Sequence, residues 1–121
     1  MKIIKLRKMY NLEREEFADL IGHHWTTVNQ WEKEGVLPKP ESIKDICNAF
    51  NLSLQYFHEY YHIYFNNPGE KIKEWRIKNN LTYQKAADIV GMSYSGFARL
   101  LSGKINLSYN MYLKLKKLGA F

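Results

Sequence analysis

The residues best equipped for bond-breaking chemistry sit near the middle of the chain, at His58-Glu59-Tyr60-Tyr61-His62. On a helix this spacing sets two imidazoles on one face with a carboxylate beside them. Zinc peptidases use that arrangement, with the glutamate as general base. Such a site also needs a third protein ligand and a substrate cleft. Ile63 through Gly69 supply no further histidine, and the two remaining ones, His23 and His24, belong to another part of the chain. The pattern reads as coincidence, so no metal and no cofactor are expected. The single cysteine, Cys47, excludes an internal disulfide and a cysteine-based zinc site. Lying between Ile46 and Phe50, it reads as a small core residue. There is no G-x-S-x-G, no Walker A loop and no pair of carboxylates that can be placed in a cleft. An enzyme is not expected.

The chemistry that remains is recognition, and the overall charge suggests of what. Eighteen Lys and Arg against twelve Asp and Glu give +6 over 121 residues, an excess that suits a polyanionic partner. At 45% hydrophobic and 25% charged residues the chain is globular in composition. No stretch approaches the roughly 18 apolar residues of a membrane span. Met1-Lys2 leads straight into an amphipathic helix rather than a secretory leader, so a cytoplasmic protein without membrane contact is expected.

The elements that must position these residues come from an internal repeat. A shift of 69 positions lays Lys2, Ile3, Arg7, Asn11, Leu12, Ala18, Asp19 and Gly22 on Lys71, Ile72, Arg76, Asn80, Leu81, Ala87, Asp88 and Gly91. Each copy opens with helical apolar spacing, Ile3, Leu6 and Tyr10 in the first and Ile72 and Trp75 in the second. Asn-Leu marks a break. A short second helix then carries Phe17, Ala18 and Ile21, or Ala86, Ala87 and Val90. Thr82 is a good N-cap for it in the second copy, whereas Glu13 is a weaker one in the first. Two helices crossing at a wide angle need a small side chain where they touch, which Ala18 and Ala87 supply. Four residues on, Gly22 and Gly91 tolerate the positive φ of a tight turn. Val28 and Trp31, or Phe97 and Leu100, then anchor a third helix and leave its outer face free.

These residues resemble the lambda-repressor-like, Cro-type helix-turn-helix family. LEREEFADLIG followed by HHWTTVNQWEKEG carries the resemblance in the first copy, and LTYQKAADIVGMSYSGFARLLSGKINLS in the second. A fourth helix fits ESIKDICNAF after Pro38-Lys39-Pro40, and LSYNMYLKLKKLG with Ser108 as N-cap and Gly119 as stop. The family often pairs an arginine of helix one with a glutamate near the end of helix three. Arg7 and Glu32 match that pair, while Arg76 meets Leu101. The resemblance implies an all-α fold of two tandem lambda-repressor-like bundles joined by an aromatic-rich helix. The first domain spans 1–66 including that helix, and the shorter second spans 67–121.

It further implies that the third helices enter the major groove. Base readers by family position are Trp25, Thr26, Asn29 and Gln30 in the first unit, and Tyr94, Ser95 and Arg99 in the second. Gln30 can bond adenine through two atoms, and Arg99 can grip guanine O6 and N7. Phosphate contacts are expected from Arg14, Lys33 and Lys39, and from Tyr83, Gln84, Lys85, Lys104 and Asn106.

Between the copies, LSLQYFHEYYHIYF reads as one helix capped by Ser53, with NNPG after it as a turn. Six aromatics in fourteen residues exceed what a covering helix needs. They fit packing against the flanking domains, or a homodimer interface of Phe57, Tyr60, Tyr61 and Tyr64. The functional expectation is a sequence-specific regulator of transcription bound to double-stranded DNA, a repressor of phage or mobile-element type. The alternative from another class is a protein-binding module on the same fold, such as an antitoxin or an inhibitor of a host defence nuclease of the anti-CRISPR kind.

Overall fold

Short apolar stripes separated by capped breaks produce an array of helices with no strand among the described residues, which are 2–121 of the computed structural model. Met1, expected to lead into the first helix, lies outside them. The chain divides into two units, Met1–Tyr61 and His62–Phe121. The division falls a few residues before the expected boundary after Asn66.

In unit 1, α1 spans Lys2–Met9, α2 Arg14–Ile21, α3 Trp25–Lys33 and α4 Pro40–Phe50. Asn11 takes the left-handed conformation at φ 54°, ending the first helix so that Tyr10 falls beyond it. Tyr10 is therefore not a core residue of α1. It is half exposed, with its ring 5.0 Å from that of Phe50. Gly22 closes α2 at φ 76°, and its turn lets α3 cross back over α2. Ile3, Leu6, Phe17, Ala18, Val28, Trp31, Ile43 and Ile46 are buried together as the core. Pro40 stands at the first position of α4, where its missing N–H costs nothing.

Unit 2 contains α6 (Pro68–Lys78), α7 (Tyr83–Val90), α8 (Tyr94–Ser102) and α9 (Tyr109–Lys117). Its break residues sit at the same offset and in the same conformation, Asn80 at φ 53° and Gly91 at φ 77°. The packing scheme also recurs: first helix on third, second on third, and second on fourth. Ile72, Trp75, Ala86, Ala87, Val90, Phe97, Leu100 and Leu115 form the core.

The joining segment differs from the single helix expected of it. Leu54–Tyr56 is one 3-10 turn, and α5 covers only Glu59–Phe65. The interruption has a local cause. The Tyr60 backbone N–H donates to the His58 ring nitrogen at 3.0 Å, so His58 stands before the helix rather than on it. Ser53 makes no side-chain cap. Pro68-Gly69 is likewise not a turn but the first turn of α6, with Pro68 at the start and Gly69 buried. A side chain could not replace that glycine, because a Cβ there would lie 2.9 Å from the Leu101 carbonyl carbon and closer still to its oxygen.

Candidate nucleic-acid interface

The outer face of α3 is held in place from both ends. At its start His24 serves as N-cap: its Nδ1 accepts from the Thr26 backbone N–H at 3.3 Å and lies 2.8 Å from the Thr26 hydroxyl. The neighbouring His23 pairs through Nε2 with Asp45 of α4 at 3.0 Å, and its ring lies 5.7 Å from that of Trp31. Sequence reasoning missed this clasp between the turn and the fourth helix, because nothing local links residues so far apart. In unit 2, Ser93 Oγ caps α8 by accepting from Gly96 N–H at 3.0 Å.

Near the other end of α3, an ion cluster ties the helix to the rest of the unit. Arg7 donates to both oxygens of Glu32, at 2.9 and 2.8 Å, and from Nη1 to the Leu12 carbonyl. Arg14 adds a third contact to Glu32 at 3.2 Å. The Glu32 side chain is only 1% exposed. Burial pushes its carboxyl up, but the hydrogen bonds from Arg7 and Arg14 outweigh that and hold it below the usual carboxylate range. The same hydrogen bond raises the Arg7 guanidinium against burial, which works the other way.

Unit 2 solves the same position without the ion pair. Leu101 replaces Glu32 and is buried. Arg76 keeps the backbone bond, to Leu81 at 2.9 Å, and its guanidinium lies 4.6 Å from the centre of the Tyr83 ring. Tyr83 stands where unit 1 has Arg14, so the two substitutions are complementary: a cation–π contact takes over from a salt bridge. Arg76 Nε is left buried without a partner.

The expected base readers lie on or next to the exposed faces of α3 and α8. Thr26, Gln30, Ser95 and Arg99 are exposed, and Asn29 is half-buried. Trp25 is 44% exposed and Tyr94 53%, at matching positions opening the two helices. Each ring rests near another, His24 at 5.9 Å and Tyr83 at 5.8 Å between centroids. Gln30 and Lys39 border one groove of about 470 Å³ beside α3, together with His23, Thr27 and Trp31.

The expected phosphate contacts fare unevenly. Lys33, Lys39, Lys85, Lys104 and Asn106 are exposed. Arg14 is instead turned onto Glu32, Tyr83 lies against Arg76, and Gln84 Nε2 donates to Asp88 at 2.9 Å. The expected dimer face needs correction. Tyr60 and Tyr61 are buried within the single chain, and the Tyr61 hydroxyl donates to the Pro38 carbonyl at 2.9 Å, leaving Phe57 and Tyr64 partly exposed.

The histidine pair of the joining segment is no helical i, i+4 pair, since His58 precedes α5. Among the described residues no group of three or more His, Cys, Asp or Glu could hold a metal ion, and no helix is long and apolar enough to cross a membrane. Cys47 is buried, which raises its thiol pKa.

A family model described as helix-turn-helix matches residues 3–57, from α1 through Phe57. Over those residues unit 1 is similar to helix-turn-helix proteins, and the fold is all-α among the described residues. Comparison with curated proteins gave no match. Comparison with solved structures gave none.

Proposed function

We propose that this protein is a sequence-specific DNA-binding regulator of transcription, a repressor of phage or mobile-element type built from two tandem helix-turn-helix units. The observation that carries the reading is the recurrence, 69 residues apart, of one capped and exposed third helix with hydrogen-bonding side chains on its outer face. The helix-turn-helix match over unit 1 supports it, as do the shared positive-φ breaks and helix pairings of unit 2. The third helix of each unit reads the major groove: Gln30 suits adenine and Arg99 guanine, each worth about 1–3 kcal/mol of discrimination. Because the two faces differ, the preferred site is asymmetric. Occlusion of a promoter is the simplest regulatory outcome of such binding.

Selection of preferred duplexes from a random pool tests this. Gln30→Ala should relax the motif at one position and Arg99→Ala at another. If both leave the selected motif unchanged, these residues are not the readers. A binding constant that does not respond to salt would sink the DNA reading itself and favour a protein partner, since phosphate contacts release counterions.

A further inference from the structure

The two units divide the charge of the chain very unequally. Residues 62–121 hold ten Lys and Arg against three Asp and Glu, a formal +7, while residues 1–61 hold eight against nine, or −1. The whole excess of +6 therefore belongs to unit 2. Asp88 is the one acidic residue after Glu74, and its carboxylate already accepts from Gln84.

The contrast is sharpest where the backbone of a duplex would be held, at the start of the second helix. Glu13, Arg14, Glu15 and Glu16 in unit 1 stand opposite Thr82, Tyr83, Gln84 and Lys85 at the 69-residue offset. Arg14, the one cation of the first set, is drawn onto Glu32. Glu13, Glu15 and Glu16 are exposed, and Glu16 takes up the Glu13 backbone N–H at 3.0 Å. That helix start presents carboxylates to solvent, whereas its counterpart presents a hydroxyl, an amide and an ammonium. From the last residue of the third helix through the loop after it, the two units carry equal net charge, exposed Lys33 and Lys39 with Glu34 in unit 1 against Lys104 in unit 2. The contrast therefore lies at the helix start and in the unit totals.

From this division we infer that unit 2 holds the DNA backbone, and that unit 1 selects bases without appreciable phosphate affinity of its own. The inference rests on the DNA-binding reading above and assigns its two parts. Carboxylates facing phosphates are repulsive over the Debye length, about 10 Å at moderate salt. Each phosphate neutralised by a lysine or arginine adds about 0.9 to the slope of log affinity against log salt.

The test is the binding of the full chain to a random-sequence duplex across a series of salt concentrations, with circular dichroism to show that each variant is folded. Lys85→Ala/Lys104→Ala should flatten the slope by about 2. Lys33→Ala/Lys39→Ala should flatten it by less than half as much. Glu15→Gln/Glu16→Lys, which gives unit 1 the residues of unit 2, should tighten binding and steepen the slope by about one. An equal or larger loss from the unit 1 lysines, with the wild-type slope intact, overturns the division while leaving the DNA reading in place. A wild-type slope near zero overturns both.

Discussion

His24 shows how far the identity of a side chain can drift while its task is kept. Serine, threonine, aspartate and asparagine dominate helix N-caps because a short oxygen reaches the free N–H groups. Here an imidazole nitrogen does so at the start of α3, while Ser93 does so at the start of α8. Replacing His24 by Ala should therefore cost unit 1 about 1 kcal/mol in urea unfolding, and His24→Ser should recover most of it. Beside the caps, Trp25 and Tyr94 expose aromatic rings at the same position of both units. The apolar feature of the major groove is the thymine methyl. Uracil scanning of a selected duplex should thus reveal one thymine per half-site whose methyl is worth about fourfold in affinity, the effect of one buried carbon. Trp25→Ala and Tyr94→Ala should each abolish the sensitivity at their own position. Unchanged sensitivity in both variants would place the rings elsewhere.

Among the elements, the third helix of unit 1 depends on a charge cluster and that of unit 2 on an apolar contact. The Glu32 carboxyl is held below its ordinary range, so the stability it confers is complete at neutral pH and is lost as pH falls through that depressed value. Urea titrations at decreasing pH should show this acid loss in the wild type and not in Glu32→Gln. That variant should also start about 3–5 kcal/mol lower, because it leaves Arg7 buried with its carboxylate gone. Gly69→Ala should destabilise unit 2 by about 1–3 kcal/mol, through the clash with the Leu101 carbonyl. The glycine turns and the caps Thr82 and Ser108 were readable beforehand, since each depends on a residue type at a fixed local spacing, whereas the Arg7–Glu32 pair, 25 residues apart, was readable only through the family resemblance. The break at His58 and the helical role of Pro68-Gly69 were not. Apolar periodicity runs across Phe57 and His58 without interruption, and only the ring-to-backbone bond shows that the helix starts later. Proline and glycine favour turns, but proline also suits the first position of a helix, and the need for glycine comes from a carbonyl more than thirty residues away. The placement of Arg14 was hidden for a similar reason: its partner Glu32 lies on the next helix.

For the whole molecule, the 69-residue offset lets the two units be compared position by position, and the comparison exposes what differs. Composition alone gives one figure, +6, and conceals that one half supplies all of it. That asymmetry also bears on kinetics. When one of two linked units holds all the excess positive charge, a strong polyanion attracts that unit first. On the DNA-binding reading, encounters begin with unit 2, and sliding along unrelated sequence is the work of that unit alone. Unit 1, repelled by the same field, engages only where base contacts repay the approach. The chain would then search with one half and verify with the other, and the time it spends at a wrong site would be set by the half that is held off.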